Sequence, residues 1–89
     1  MVDDKRLVKQ AQQGDGRAVA ALYAEYQARV YRYIVYRIGD SAIAEDLTAD
    51  VFASMVRSIG SYESRGRPFL AWLYVIAGNA CKMHYRRQN

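Results

Sequence analysis

One cysteine (Cys81), one histidine (His84) and one proline (Pro68) in 89 residues exclude several classes at once. A lone thiol cannot form an internal disulfide, and one Cys with one His cannot by themselves build a metal cage, so staples and structural zinc are both out. No apolar run reaches the roughly 18 residues that a membrane span needs, and Met1–Lys5 is acidic and lacks a signal-peptide apolar segment. These absences predict a soluble, intracellular protein of the cytoplasm with no membrane insertion. Internal repeats, strand-like alternation, a glycine-rich phosphate cradle and a His-Glu-x-x-His metal motif are missing too. Cys81 and His84 lie three apart on one helical pattern, but no acid follows Glu63 to orient such a pair. They read as a buried small hydrophobe and a surface or packing residue, and the chain reads as a non-enzyme that needs no cofactor.

What is present is a foldable composition, 52% apolar and 25% charged, in a length that allows one domain, residues 1–89. Apolar spacings of three and four residues, broken at glycines, predict an all-α compact bundle of about four helices. The first spans about Asp4 to Gln13, with Leu7, Val8 and Ala11 on one face and Gly14 at its end; Asp15 is then placed to cap the next. The second, Arg17–Ile38, carries Val19, Leu22, Tyr23, Tyr26, Val30, Tyr33 and Ile34 as one stripe and closes at Gly39. Asp40 or Ser41 caps the third, which turns Ile43, Leu47, Val51, Met55 and Ile59 inward before Gly60 stops it. Ser61–Arg67 is the one substantial loop. Pro68 then opens a last helix, Pro68–Arg87, with Phe69, Leu70, Leu73, Ile76, Ala77 and Ala80 at core spacing.

Charge is segregated along the chain. Met1–Glu63 holds eight Lys/Arg against nine Asp/Glu, whereas Ser64–Asn89 holds five Lys/Arg and no acid. Within the first part, Gly39–Val56 carries Asp40, Glu45, Asp46 and Asp50 and no base. The two signs read either as surfaces for two partners or as solvated faces. The basic end favours nucleic acid, because Tyr62, Arg65, Arg67, Phe69, Trp72, Tyr74, Asn79, Lys82, Tyr85, Arg86 and Arg87 interleave cations, rings and an amide. Cations neutralise phosphates, ring faces accept unstacked bases, and an amide pairs with a base edge, which suits single-stranded DNA. Rings at helical spacing are also core residues; both roles stand for Trp72, and the tyrosines of the second helix read as structural.

The run Ala44-Glu45-Asp46-Leu47-Thr48-Ala49-Asp50-Val51-Phe52, followed by Tyr62, the polar loop and Phe69-Leu70-Ala71-Trp72-Leu73-Tyr74-Val75-Ile76-Ala77-Gly78-Asn79-Ala80 with Arg86-Arg87 behind, resembles region 2 of the extracytoplasmic-function sigma factors. The opening segment Leu7–Tyr36 is similar as well, so the resemblance covers nearly the whole chain. It implies a transcription-initiation domain that binds core RNA polymerase, at the clamp coiled coil of the largest subunit, and recognises the promoter minus-ten element as non-template single strand. Carried over, Asp46, Asp50 and Phe52 face the polymerase with Glu45, Ala49, Ala53 and Val56 beside them, Phe52 as an exposed apolar anchor. Tyr62, Ser64, Arg65 and Phe69 receive a flipped base, Arg67 belongs to the same loop, Asn79 contacts the upstream base, and Lys82, Arg86 and Arg87 hold phosphates. Trp72 and Leu73 fall where primary sigma factors carry a tryptophan pair that opens the duplex, and Leu at the second position implies weaker melting.

Some positions depart from the family pattern. Ala49 replaces a common glutamine, which removes a hydrogen bond toward polymerase, and Val75 and Gly78 replace common arginines, which implies two fewer phosphate contacts. Gly78 also costs the helix about 1 kcal/mol relative to Ala, unless a partner backbone makes use of the close approach. The family's second DNA-binding domain is not represented, so the chain reads as an excised domain or a natural short form. Two rivals remain: an interaction module controlled by an anti-sigma factor through the acidic helix, and a duplex-binding helix-turn-helix, disfavoured because Gly60–Pro68 exceeds the usual tight turn.

Overall fold

The computed structural model describes residues 4–88. Four helices occupy them, α1 (Asp4–Gln12), α2 (Gly16–Ile38), α3 (Ser41–Ser58) and α4 (Phe69–Gln88), with a 3-10 turn at Ile59–Ser61 and no strand among the described residues. The boundaries follow from local chemistry. Gly14, at φ 90°, ends α1 in a Schellman arrangement: the amide of Asp15 donates to the carbonyl of Gln10 at 3.0 Å and that of Gly14 to Ala11 at 3.0 Å. The Asp15 carboxylate then accepts from the amide of Arg17 at 2.9 Å and starts α2. Gly39, at φ 78°, closes α2, and Asp40 rather than Ser41 caps α3 by accepting from Ile43 at 3.0 Å.

Gly60 does not stop α3. The helix gives way at Ser58 to the tighter turn, and Gly60 sits inside that turn without a left-handed φ. The break comes from the change of hydrogen-bond pattern, with the amide of Tyr62 donating to Ile59 at 3.1 Å. Helix α4 starts one residue after Pro68, whose carbonyl accepts from Ala71 at 3.0 Å.

The core is built from rows spaced by four: Ala18, Leu22, Tyr26, Val30 and Ile34 on α2, Leu47, Val51 and Met55 on α3, and Phe69, Leu73, Ala77 and Cys81 on α4. Such rows interdigitate as ridges and grooves, and the alanines among them let backbones approach. A second α3 row, Ala44, Thr48 and Phe52, is buried as well, with the Thr48 hydroxyl donating to the carbonyl of Ala44 at 2.7 Å. Val19 and Tyr33 of the expected α2 stripe are half-buried, and Tyr23 is 45% exposed. A stripe drawn at mixed three- and four-residue steps is wider than the row that α2 buries.

Two helices run side by side in the same direction. Tyr26 packs on Phe69, Tyr33 on Tyr74, and the Tyr85 hydroxyl donates to the carbonyl of Arg37, so residue numbers rise together along α2 and α4. The C-terminal end of α2 is thereby set beside the basic end of α4. None of the described helices is long and apolar enough to cross a membrane.

Candidate nucleic-acid and polymerase interfaces

The loop between the 3-10 turn and α4 is held from below. The Gln12 side-chain amide of α1 donates to the carbonyls of Ile59 and Tyr62, both at 2.9 Å. Beyond it, Arg65 and Gly66 both take left-handed backbone, φ 48° and 79°, and the amide of Arg67 closes the turn on the carbonyl of Ser64 at 2.9 Å. A non-glycine residue in that region is uncommon and strained by about 1 kcal/mol or more. The turn leaves Ser64, Arg65 and Arg67 exposed, with Arg65 only loosely paired to Glu63 at 3.6 Å. An ion pair this open contributes little and is easily exchanged for a phosphate.

Behind the loop stands an aromatic cluster. Tyr62 lies 4.7 Å from Trp72 and edge-on to Phe69 at 5.3 Å, and Phe69 contacts Trp72 at 5.4 Å and Tyr26 at 5.8 Å. Phe69, 3% exposed, is the buried hub and has no face left for a base. It is a supporting residue rather than the expected base contact, because it sits at the head of the buried α4 row. Tyr62 and Trp72 are half-buried and line a cleft of about 130 Å³ with Ser64, Arg65 and Arg67. Burial, and secondarily the charge of Asp4, raises the Tyr62 hydroxyl above its ordinary pKa, so at neutral pH it is a donor. Leu73 is fully buried and cannot act in a duplex wedge, which leaves Trp72 as the one ring at that pair of positions.

Along α4, Trp72, Asn79 and Arg86 recur every seven residues and so share one face, spanning about 21 Å at 1.5 Å per residue. Asn79, Lys82, Arg86 and Arg87 are all exposed. Asn79 lines two clefts, one toward α3 with Asp50, Arg57 and Arg87, the other toward α2 with Arg37, Tyr74 and Lys82. The amide therefore sits on the ridge between them.

The acidic face of α3 is intact. Glu45, Asp46, Ala49, Asp50, Ala53 and Val56 are exposed, Val56 by 53%. Phe52 is not an exposed anchor: it is 5% exposed, part of the second buried row, with Tyr23 of α2 edge-on at 4.7 Å and 67°. The exposed ring on this side is Tyr23, which the sequence pattern had assigned to the core, and the exposed aliphatic group is Val56.

Gly78 also finds its reason inside the domain. A Cβ there would lie 3.2 Å from the Tyr33 hydroxyl, so the close approach serves α2 and not a partner backbone. Tyr33 stacks on Tyr74 at 4.8 Å and 20°, and the Arg37 guanidinium lies 4.3 Å over Tyr33. Sequence reasoning missed Gln12 and Arg37 and placed Tyr23 in the core; each acts across elements, through contacts that no local pattern signals. Cys81 is buried and its thiol is pushed up by that burial, and no group of ligating side chains among the described residues could hold a metal.

A parallel α2–α4 pair, an aromatic-backed loop, an acidic α3 and a basic end of α4 together make the helical arrangement of a sigma region 2 domain. The sigma-70 region 2 model matches residues 22–89, and the chain belongs to that family. It is 46% identical over 80 residues to the extracytoplasmic-function sigma factor BldN of Streptomyces coelicolor, which covers 90% of this chain and 30% of BldN. Among solved structures, it superposes with TM-score 0.88 and 30% identity on an NMR structure of an engineered region 2 of sigmaE in complex with GTAAAA, over 98% of this chain and 90% of that one. It superposes with TM-score 0.81 and 44% identity on the 1.8 Å RsbN–BldN complex, over 90% of this chain and 58% of that one. The chain thus spans about a third of the length of the sigma factor BldN.

Proposed function

We propose that this domain is a non-enzymatic module of transcription initiation, acting in the cytoplasm, which binds core RNA polymerase through α3 and captures the promoter minus-ten element as single-stranded non-template DNA. The observation that carries the reading is the match to a sigma region 2 held in complex with GTAAAA, at TM-score 0.88 over nearly the whole of both chains. In this reading Tyr62 and Trp72 stack against a base swung out beside the Ser64–Arg67 turn, and stacking with the Tyr62 hydroxyl's hydrogen bond offsets the few kcal/mol of unstacking. Asn79 meets the upstream base, and Arg65, Arg67, Lys82, Arg86 and Arg87 hold phosphates. Glu45, Asp46 and Asp50, with Ala49, Ala53 and Val56 between them, meet a basic and partly apolar surface on the polymerase clamp coiled coil.

The test is fluorescence anisotropy of labelled oligonucleotides, GTAAAA-containing and scrambled, single-stranded and duplex, across salt. The reading expects selective single-strand binding that weakens as salt rises. Equal affinity for the scrambled strand at low salt would remove base recognition from it, and preference for duplex would favour a helix-turn-helix mode. A second reading, capture by a protein that keeps the domain from polymerase, is favoured by the similarity to BldN held in a complex with RsbN. It shares the α3 surface with the first and is compatible with it.

A further inference from the structure

The cleft between α2 and α4 has cations on two walls and no acid among the residues lining it, Arg37 standing at the end of α2 and Lys82 on α4. Neither is paired with a carboxylate among the described residues. The Arg37 side chain is exposed yet held in place: its guanidinium stacks 4.3 Å over Tyr33, which itself stacks on Tyr74, and its carbonyl accepts from the Tyr85 hydroxyl at 2.6 Å. Gly78 keeps the floor low, and the Tyr33 hydroxyl fills the space where a side chain would begin. A fixed, unpaired guanidinium over a shallow polar floor is suited to a phosphodiester, which it grips with little further ordering cost.

We infer that Arg37 of α2 is a DNA-contacting residue, and that the α2–α4 cleft takes a backbone phosphate of the duplex immediately upstream of the minus-ten element. The inference rests on the proposed function for the direction of the strand. With the loop at the start of α4 and Asn79 reading the upstream base, DNA that continues past Asn79 meets the level of Cys81 and Tyr85. Arg37 is moored there through Tyr85, with Lys82 on the facing wall. Val75 and Gly78 of α4 line the same cleft and bring no charge to it. The cation from α2 thus stands across the cleft from the one that α4 supplies, Lys82.

The test compares Arg37→Ala, Arg37→Lys and wild type on two probes: a single strand ending at the upstream base of the element, and the same strand with ten base pairs of duplex attached upstream. The inference expects Arg37→Ala to bind the short strand as wild type does and to lose affinity for the forked probe. The wild-type advantage should shrink by about 3.5-fold between 50 and 200 mM salt, the effect of one released counterion. Arg37→Lys should recover the salt dependence. Equal losses on both probes would mean that Arg37 acts through the fold and would overturn the inference, as would an unchanged forked-probe affinity. If wild type binds neither probe at low salt, the proposed function itself fails and takes this with it.

Discussion

Replacing Gln12 by alanine should loosen the loop without altering any side chain proposed to meet DNA. The side-chain amide donates two hydrogen bonds across 47 and 50 residues of sequence, to Ile59 in a part-buried setting and to Tyr62 in an exposed one. The first contributes about 1 kcal/mol. The second, replaceable by water, adds a few tenths, and the better helix propensity of alanine returns about as much. The net loss is about 1 kcal/mol, which lowers Tm by about 4–8 °C in a domain of this size. Thermal denaturation followed by circular dichroism measures it, with Gln13→Ala as control. Gln12→Glu should be worse than alanine at neutral pH, since it brings a carboxylate against two carbonyls, and should recover on acidification as the carboxyl regains a donor proton. A Tm within 1 °C of wild type for both Gln12 variants would refute the idea that α1 fixes the loop.

Three further outcomes follow from side chains already placed. Phe52→Ala should cost about 3–5 kcal/mol, most of the stability expected of such a domain, so that its denaturation midpoint and not merely its polymerase affinity collapses; wild-type stability would return Phe52 to the surface. Gly78→Ala should gain less than the usual helix increment, because its Cβ meets the Tyr33 hydroxyl at 3.2 Å, and Tyr33→Phe should restore the gain in a double-mutant cycle of denaturant midpoints. Tyr26 is held well above its ordinary value of 10.0 by burial first and then by donating to Asp4. Its proton is kept in the folded state and lost from the unfolded one, so stability is complete below pH 10 and falls as pH rises beyond it. Urea midpoints for Tyr26→Phe should start lower near neutrality and decline less steeply above pH 10 than those of wild type.

The helix count, the caps at Asp15 and Asp40 and the left-handed exits at Gly14 and Gly39 were legible because each depends on a few adjacent residues. The acidic and basic faces were legible for a related reason, since charge can be counted along the chain. What escaped was decided between elements. Phe52 lies between the exposed Asp50 and Ala53 along the chain and looks available, yet the four-residue spacing from Ala44 and Thr48 turns it against α2 beneath Tyr23. Phe69 has the chemistry of a base platform but sits at the head of the buried row that Leu73 and Ala77 continue. Gly78 looked like a gap for a partner because the Tyr33 hydroxyl that fills it comes from 45 residues away. Gln12 and Arg37 act only through neighbours that the parallel α2–α4 pair and the packing of α1 on the loop bring to them.

If α3 and α4 divide the labour between two surfaces of opposite charge, single substitutions should produce a double dissociation. Affinity for the polymerase clamp coiled coil and for the GTAAAA strand would be measured side by side for Asp46→Arg and Asn79→Ala, both exposed substitutions that should leave Tm unchanged. Asp46→Arg should abolish clamp binding and spare the oligonucleotide, while Asn79→Ala should weaken selective oligonucleotide binding and spare the clamp. Loss of both activities in either variant, or of neither in both, would contradict it.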